Sequence, residues 1–238
     1  MDKKITNIEA AKKFIDGHFT ECDLAILAGS TVRNASTSTS DLDIVIIDRT
    51  LKNSYRESFI EFGWPIEVFA HSNETVRSWI DKDILRRKPS MPTMIVEGLL
   101  IKGSEAYFLE LQQYSESRLR SGPAQYTNME DLTERYFITD LLDDFIGSTN
   151  YIDDVFILNQ ILEKLVNFKM VKGGQWLVHG KRIQRALIMD DQQFADSLFA
   201  TMTEFYRTGN KDKVIQVLES TLLQYGGRVF EGYSAGKT

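Results

Sequence analysis

Asp41 and Asp43 stand one residue apart at the head of an aliphatic run, in the stretch AGSTVRNASTSTSDLDIVII (28–47). In an extended strand, side chains two apart project to the same side, so these carboxylates would point together. Like charges that close repel unless a cation lies between them. Hard oxygen ligands at this spacing suit Mg²⁺, which takes one or two carboxylates and completes its shell with substrate phosphate oxygens. Glu67, a charged residue inside the apolar run PIEVFA, is the candidate third ligand if its strand lies beside DLDIVII. An acid beside the metal could also take the proton of an attacking hydroxyl. The plainer alternatives are that the two aspartates open a solvated strand and that Glu67 faces water from an edge.

Gly29-Ser30 supplies the other half of such a chemistry. A strand that ends in glycine lets backbone approach a phosphate closely, and the turn after it exposes N–H groups that favour anions. The Ser30 hydroxyl adds a donor. One segment thus offers a phosphate cradle followed by a pair of metal-binding acids.

These residues need a sheet to hold them. Short apolar runs predict three strands in the first half: DLAILAG ending at Gly29, DLDIVIID, and PIEVFAHS opened by Pro65. Helices are expected at about 7–17, about 51–62 and about 73–86, the last with Asn73 as N-cap, and a short edge strand near 99–102. After SGPAQYT (121–127) the strand signals stop. Apolar residues recur at helical spacing in four long stretches, and Gly147, Gly209 and Gly226 sit where helix stops belong. The pattern predicts four or five helices, with the Gly122-Pro123 step as the boundary between two domains, 1–120 and 121–238.

Bulk properties narrow the chemistry. The chain has 238 residues and a formal net charge of -6, which argues against a surface that grips a nucleic-acid polymer by charge. The single cysteine, Cys22, excludes an intrachain disulfide, fits a reducing compartment and reads as structural. The N-terminal segment lacks a signal peptide's apolar core, and no run approaches the length of a membrane span, so a cytoplasmic protein is expected. His18, His71 and His179 have no zinc-like spacing and read as structural or surface residues, while Trp176 and Tyr136 read as core aromatics. The terminal SAGKT is not a P-loop: Glu231 stands where that motif's first glycine would fall.

Taken together, Gly29-Ser30, ten intervening residues, Asp41-x-Asp43 within a strand, and a strand-borne acid resemble the DNA polymerase β-like nucleotidyltransferase superfamily. Arg33 and Ser40 also stand where that pattern expects them; Asn34 replaces a common glycine, and Asn tolerates left-handed backbone. The second half is similar to the helical domain of bacterial nucleotidyltransferases related to the aminoglycoside enzymes. Gly122-Pro123, Arg135, Leu141-Leu142-Asp143-Asp144 and Gly180-Lys181 carry that likeness, which spans about 20 to 190.

The resemblance implies an α+β nucleotidyltransferase fold, a small mixed sheet with flanking helices, followed by an all-α helical bundle. It implies Mg²⁺, as two ions held by Asp41, Asp43 and Glu67, and ATP or another nucleoside triphosphate bound by Gly29, Ser30, Arg33, Ser40 and Lys181. A nucleoside monophosphate would pass to a hydroxyl of a small-molecule acceptor, such as an aminoglycoside-like antibiotic, with release of pyrophosphate. Asp140, Asp143 and Asp144 are candidates to face that acceptor, their alternative being charge on an exposed helical face. Lys181 has the same alternative as a solvated lysine. No nucleic-acid polymer or membrane partner is expected, and a homodimer is compatible with related two-domain enzymes. The competing readings are a non-catalytic nucleotide-binding regulatory module and an enzyme that nucleotidylates (AMPylates) a protein.

Overall fold

The computed structural model describes residues 5–32 and 39–236. The chain divides into two compact units, Met1–Gly122 and Pro123–Thr238.

The first unit is built on a five-stranded sheet: β1 (Leu24–Ala28), β2 (Leu42–Ile47), β3 (Tyr55–Glu61), β4 (Trp64–His71) and β5 (Leu99–Gly103), in the order β3-β4-β2-β1-β5. β2 and β4 run parallel, and the other neighbouring pairs are antiparallel. Helix α1 (Asn7–His18), capped by the Thr6 hydroxyl, buries Ala10, Ala11, Phe14 and Ile15 against one face of the sheet, where Leu27, Ile44, Ile46, Ile66 and Val68 meet it. Helices α2 (Asn73–Leu85), α3 (Ser90–Glu97) and α4 (Glu105–Arg120) cover the other face, over Leu24, Ile26, Val45 and Ile47. Because both faces are covered, the central strands read as continuous apolar runs instead of alternating ones. The single residue of β2 that is not buried is Asp43.

Two expectations are corrected in this unit. Residues 55–61 form strand β3, where a helix over about 51–62 is predicted. The chain reverses from β3 into β4 through Phe62 (φ 53°) and Gly63 (φ 77°), a two-residue turn with both residues left-handed, as tight hairpins require. Its near-uniform exposure leaves β3 without the alternation that marks a strand. The N-cap of α2 is Ser72 and not Asn73: its hydroxyl accepts from the Thr75 N–H while Thr75 bonds back to the Ser72 N–H, a reciprocal capping box.

The second unit is helical, with α5 (Asn128–Gly147), α6 (Tyr151–Lys172), α7 (Arg182–Asp190), α8 (Gln192–Thr208) and α9 (Asp212–Gln224). Phe145, Leu158, Phe168, Leu187, Phe205 and Leu218 form one shared core. Gly209 ends α8 in the left-handed conformation (φ 73°) that a side chain would disfavour. The Lys211 ammonium closes the end of α5, donating to the carbonyls of Phe145 (2.8 Å) and Ser148 (2.6 Å) and to the buried Asp154 carboxylate (2.8 Å).

Candidate functional site

The parallel pairing of β2 with β4 sets Asp43 directly beside Glu67, and β1 sets Ala28 opposite Asp43. Asp41 lies just ahead of β2 on the side of Asp43. One carboxylate oxygen from each of Asp41, Asp43 and Glu67 falls within 4.8 Å of the others, and all three residues are half-buried. This is the spacing at which oxygens share a cation. Three acids brought together this way repel unless positive charge lies beside them.

Gly29 explains how Asp43 fits. The backbone there is left-handed (φ 81°), and a Cβ at this position would lie 2.0 Å from Asp43 Oδ2. The missing side chain is therefore the space that the carboxylate occupies, and glycine is needed both for its conformation and for its emptiness. Beside it the Ser30 hydroxyl donates to Ser40 Oγ at 3.2 Å, which ties the two ends of the intervening segment together at the acids. The Thr31 hydroxyl bonds the Ala28 carbonyl (3.3 Å), and Asn7 of α1 donates to the Thr31 carbonyl (3.0 Å), so the turn after β1 is anchored to both strand and helix.

Arg56 joins the site from β3. Its guanidinium donates to Glu67 Oε2 at 2.5 Å and lies 5.0 Å from the centre of the Phe69 ring. The bond to Glu67, with the charges of Asp43 and Asp41 behind it, holds the guanidinium above its ordinary pKa. Sequence reasoning missed this residue because its segment reads as a helix. The available signal was the run YRESFIEFGWPIEVF, in which glycine punctuates two strand-length stretches.

The structure thus gathers Gly29, Ser30, Ser40, Asp41, Asp43 and Glu67 at one corner of the sheet, whereas Arg33 lies outside the described residues. Lys181, exposed at the N-cap of α7, belongs to the helical unit, as do the exposed Asp140 and Asp144 of α5. Asp143, also exposed, is bonded to Arg228. Arg135 has structural work: it pairs with Asp131 (2.9 Å) and donates to the carbonyls of Gly226 and Gly227. Tyr136 stacks on Tyr233 with ring centres 4.0 Å apart, and Trp176 is half-buried. His18 and His179 pair with Glu61 and Glu163. His71 is buried inside the first unit.

The donor set suits a hard divalent cation: carboxylate oxygens alone, half-buried, next to a bend with no Cβ. Among the described residues no helix is long and apolar enough to cross a membrane.

No family model matches the sequence, and no curated protein matches it. Among solved structures the chain is similar to a nucleotidyltransferase-like protein from Exiguobacterium sibiricum 255-15. That likeness has 12% identity and a TM-score of 0.48, covering 92% of this chain and 73% of the other. The functional reading therefore rests on the residues of the corner itself.

Proposed function

We propose that this chain is a Mg²⁺-dependent nucleotidyltransferase that moves a nucleoside monophosphate from a nucleoside triphosphate, ATP in the first instance, to a hydroxyl of a small molecule. The observation that carries the reading is the convergence of Asp41, Asp43 and Glu67 against a glycine whose absent Cβ makes room for one of them. Arg56 offsets charge at Glu67, and a divalent cation would draw all three acids together.

Each residue then has a task. Asp41 and Asp43 would hold the divalent cation, with Glu67 as third ligand. Bound there, the cation would neutralise charge gathering on the transferring phosphoryl group. The turn at Gly29-Ser30, with the Ser40 hydroxyl alongside, would receive the outer phosphates through N–H and O–H donors. Glu67 has one oxygen bonded to Arg56, and its other oxygen would serve as the third ligand or, where two aspartates suffice for the cation, as the base that takes the acceptor's proton. The acceptor oxygen forms its bond to the α-phosphorus as the bond from that phosphorus to the bridging oxygen breaks, and pyrophosphate carries away the electron pair. Lys181 would assist at the phosphates, and Asp140 and Asp144 at the acceptor, as the sequence resemblance implies.

The test combines protein, Mg²⁺, ATP and a panel of hydroxyl-bearing acceptors, aminoglycosides included, and looks by mass spectrometry for an acceptor carrying an added adenylyl group. Absence of product together with absence of Mg²⁺-dependent nucleotide binding sinks the proposal. Binding without product across a broad panel would return the regulatory reading, and adenylylation of a protein the third.

A further inference from the structure

A second feature lies on the same sheet face as the three acids. Along β4 the side chains on this face are Glu67, Phe69 and His71 in succession. Where Glu67 ends the acidic corner, Phe69 and His71 begin a cavity of about 340 Å³, walled further by Tyr55, Trp79, Met91 and Met94. That volume falls at the small end of ligand pockets, enough for one or two fused rings. Arg56 spans the junction, bonded to Glu67 while its guanidinium faces the Phe69 ring.

The order of the strands gives the cavity a side. In β3-β4-β2-β1, the Gly29-Ser30 bend follows β1, the acids sit on β2 and β4, and the cavity opens along β4 and β3. A triphosphate cradled at Gly29-Ser30 would occupy one flank of the acids, which leaves the cavity on the flank from which an attacking hydroxyl must come.

The lining also selects its guest. Four rings and two thioethers favour a flat apolar body. His71 is 3% exposed and its Nδ1 has no hydrogen-bond partner. Burial pushes the ring down to about 4, so it is neutral at physiological pH. The Trp79 N–H is fixed to Ser54 Oγ at 2.8 Å, which holds the indole in place. The buried Asp83 carboxylate is engaged by the Met91 N–H at 2.8 Å. Within the lining Arg56 lies over the Phe69 ring, while Lys82 and Arg86 stand 5.4 and 5.2 Å from the Trp79 ring and help to hold it.

We infer that this cavity is the acceptor subsite and that the acceptor is a compact, uncharged aromatic molecule whose hydroxyl reaches Glu67. The inference rests on the transfer reading above and narrows its acceptor to a flat apolar body.

Calorimetry with 2-naphthol as guest, in the presence and absence of Mg²⁺ and the non-transferable analogue α,β-methylene-ATP, tests it. Wild-type protein should bind 2-naphthol and the analogue together. Met94→Trp, which fills the cavity, and Ser90→Trp, placed at an exposed position on its lining, should each weaken 2-naphthol at least tenfold. Both should bind Mg²⁺ and the analogue as wild type does, with folding checked by circular dichroism. No 2-naphthol binding, or binding unchanged in both variants, overturns the subsite. Displacement of 2-naphthol by tobramycin overturns the restriction to flat aromatic acceptors. Displacement of the analogue by 2-naphthol makes the cavity a nucleobase site and overturns the acceptor assignment. Failure of wild-type protein to bind Mg²⁺ and the analogue would instead sink the transfer reading, whatever 2-naphthol does.

Discussion

Acids are treated differently in the helical unit and at the sheet corner. In the helical unit Asp154 meets Lys211 at 2.8 Å, Asp190 meets Lys169 at 2.5 Å, and Asp131 meets both Arg135 and Lys172. Acid sits beside base, and the remaining donors of Lys211 go to helix-terminal carbonyls. At the sheet corner acid sits beside acid: three carboxylates share a 4.8 Å neighbourhood, with Arg56 bonded at Glu67. The first arrangement completes itself within the chain. The second would gain from a cation, as the proposed function requires, and that asymmetry is what the variants below test.

The largest effect should come from the corner. Asp43→Asn is expected to lower nucleotidyl transfer by roughly 10³-fold or more, measured as adenylylated product formed per unit time; activity within tenfold of wild type would remove Asp43 from the mechanism. In the helical unit the same kind of edit should strike stability instead. Lys211→Met leaves Asp154 buried without its cation and the carbonyls without their donor, at a cost of about 3–5 kcal/mol. Urea unfolding would read this, with Mg²⁺-dependent nucleotide binding kept wherever the protein is folded.

His71 offers a third case, a buried ring whose Nδ1 has no hydrogen-bond partner. Its pKa is depressed by burial from an ordinary 6.5 to about 4. The unfolded chain therefore binds the extra proton first, and His71's contribution is present in full above pH 6.5 and lost as pH falls toward 4. The loss should approach about 3 kcal/mol, and comparison of unfolding at pH 7 and pH 4.5 in wild type and His71→Phe would isolate it. The smallest expected change has the opposite sign to the others. By relieving repulsion among like charges, Asp43→Asn should leave the metal-free protein as stable as wild type or more so by about 0.5 kcal/mol. Destabilisation by more than about 1 kcal/mol in thermal melts would show that the corner is structural after all.

How far the sequence disclosed this molecule depended on how strongly each segment announced its environment. DLAILAG and DLDIVIID are buried on both faces, so their apolar runs are unmistakable, and the polar interruption at Asp43 is conspicuous for the same reason. Glu67 was visible as a charge inside a buried strand. The YRESFIE segment was not legible: an exposed outer strand lacks period-two alternation, and Phe62-Gly63 is not one of the usual hairpin dipeptides. Arg56 was lost with it. The cavity was hidden for another reason, since Tyr55, Phe69, Trp79 and Met94 come from separate elements that only the tertiary fold assembles. His71 looked ordinary because burial, which sets its behaviour, is not written in its neighbours.

The exposed course of β3 has a consequence of its own. Among the described residues it is the outermost strand on its side of the sheet, and Ile60 is 84% exposed. Open borders of this kind invite a second copy to add on, and charged side chains are the usual guard. Arg56, Glu57 and Glu61 stand guard here, so the arginine that steadies Glu67 also polices the sheet's margin. Any variant at Arg56 would therefore need light scattering alongside its assay, because a dead enzyme and a clumped one would look alike in a rate measurement.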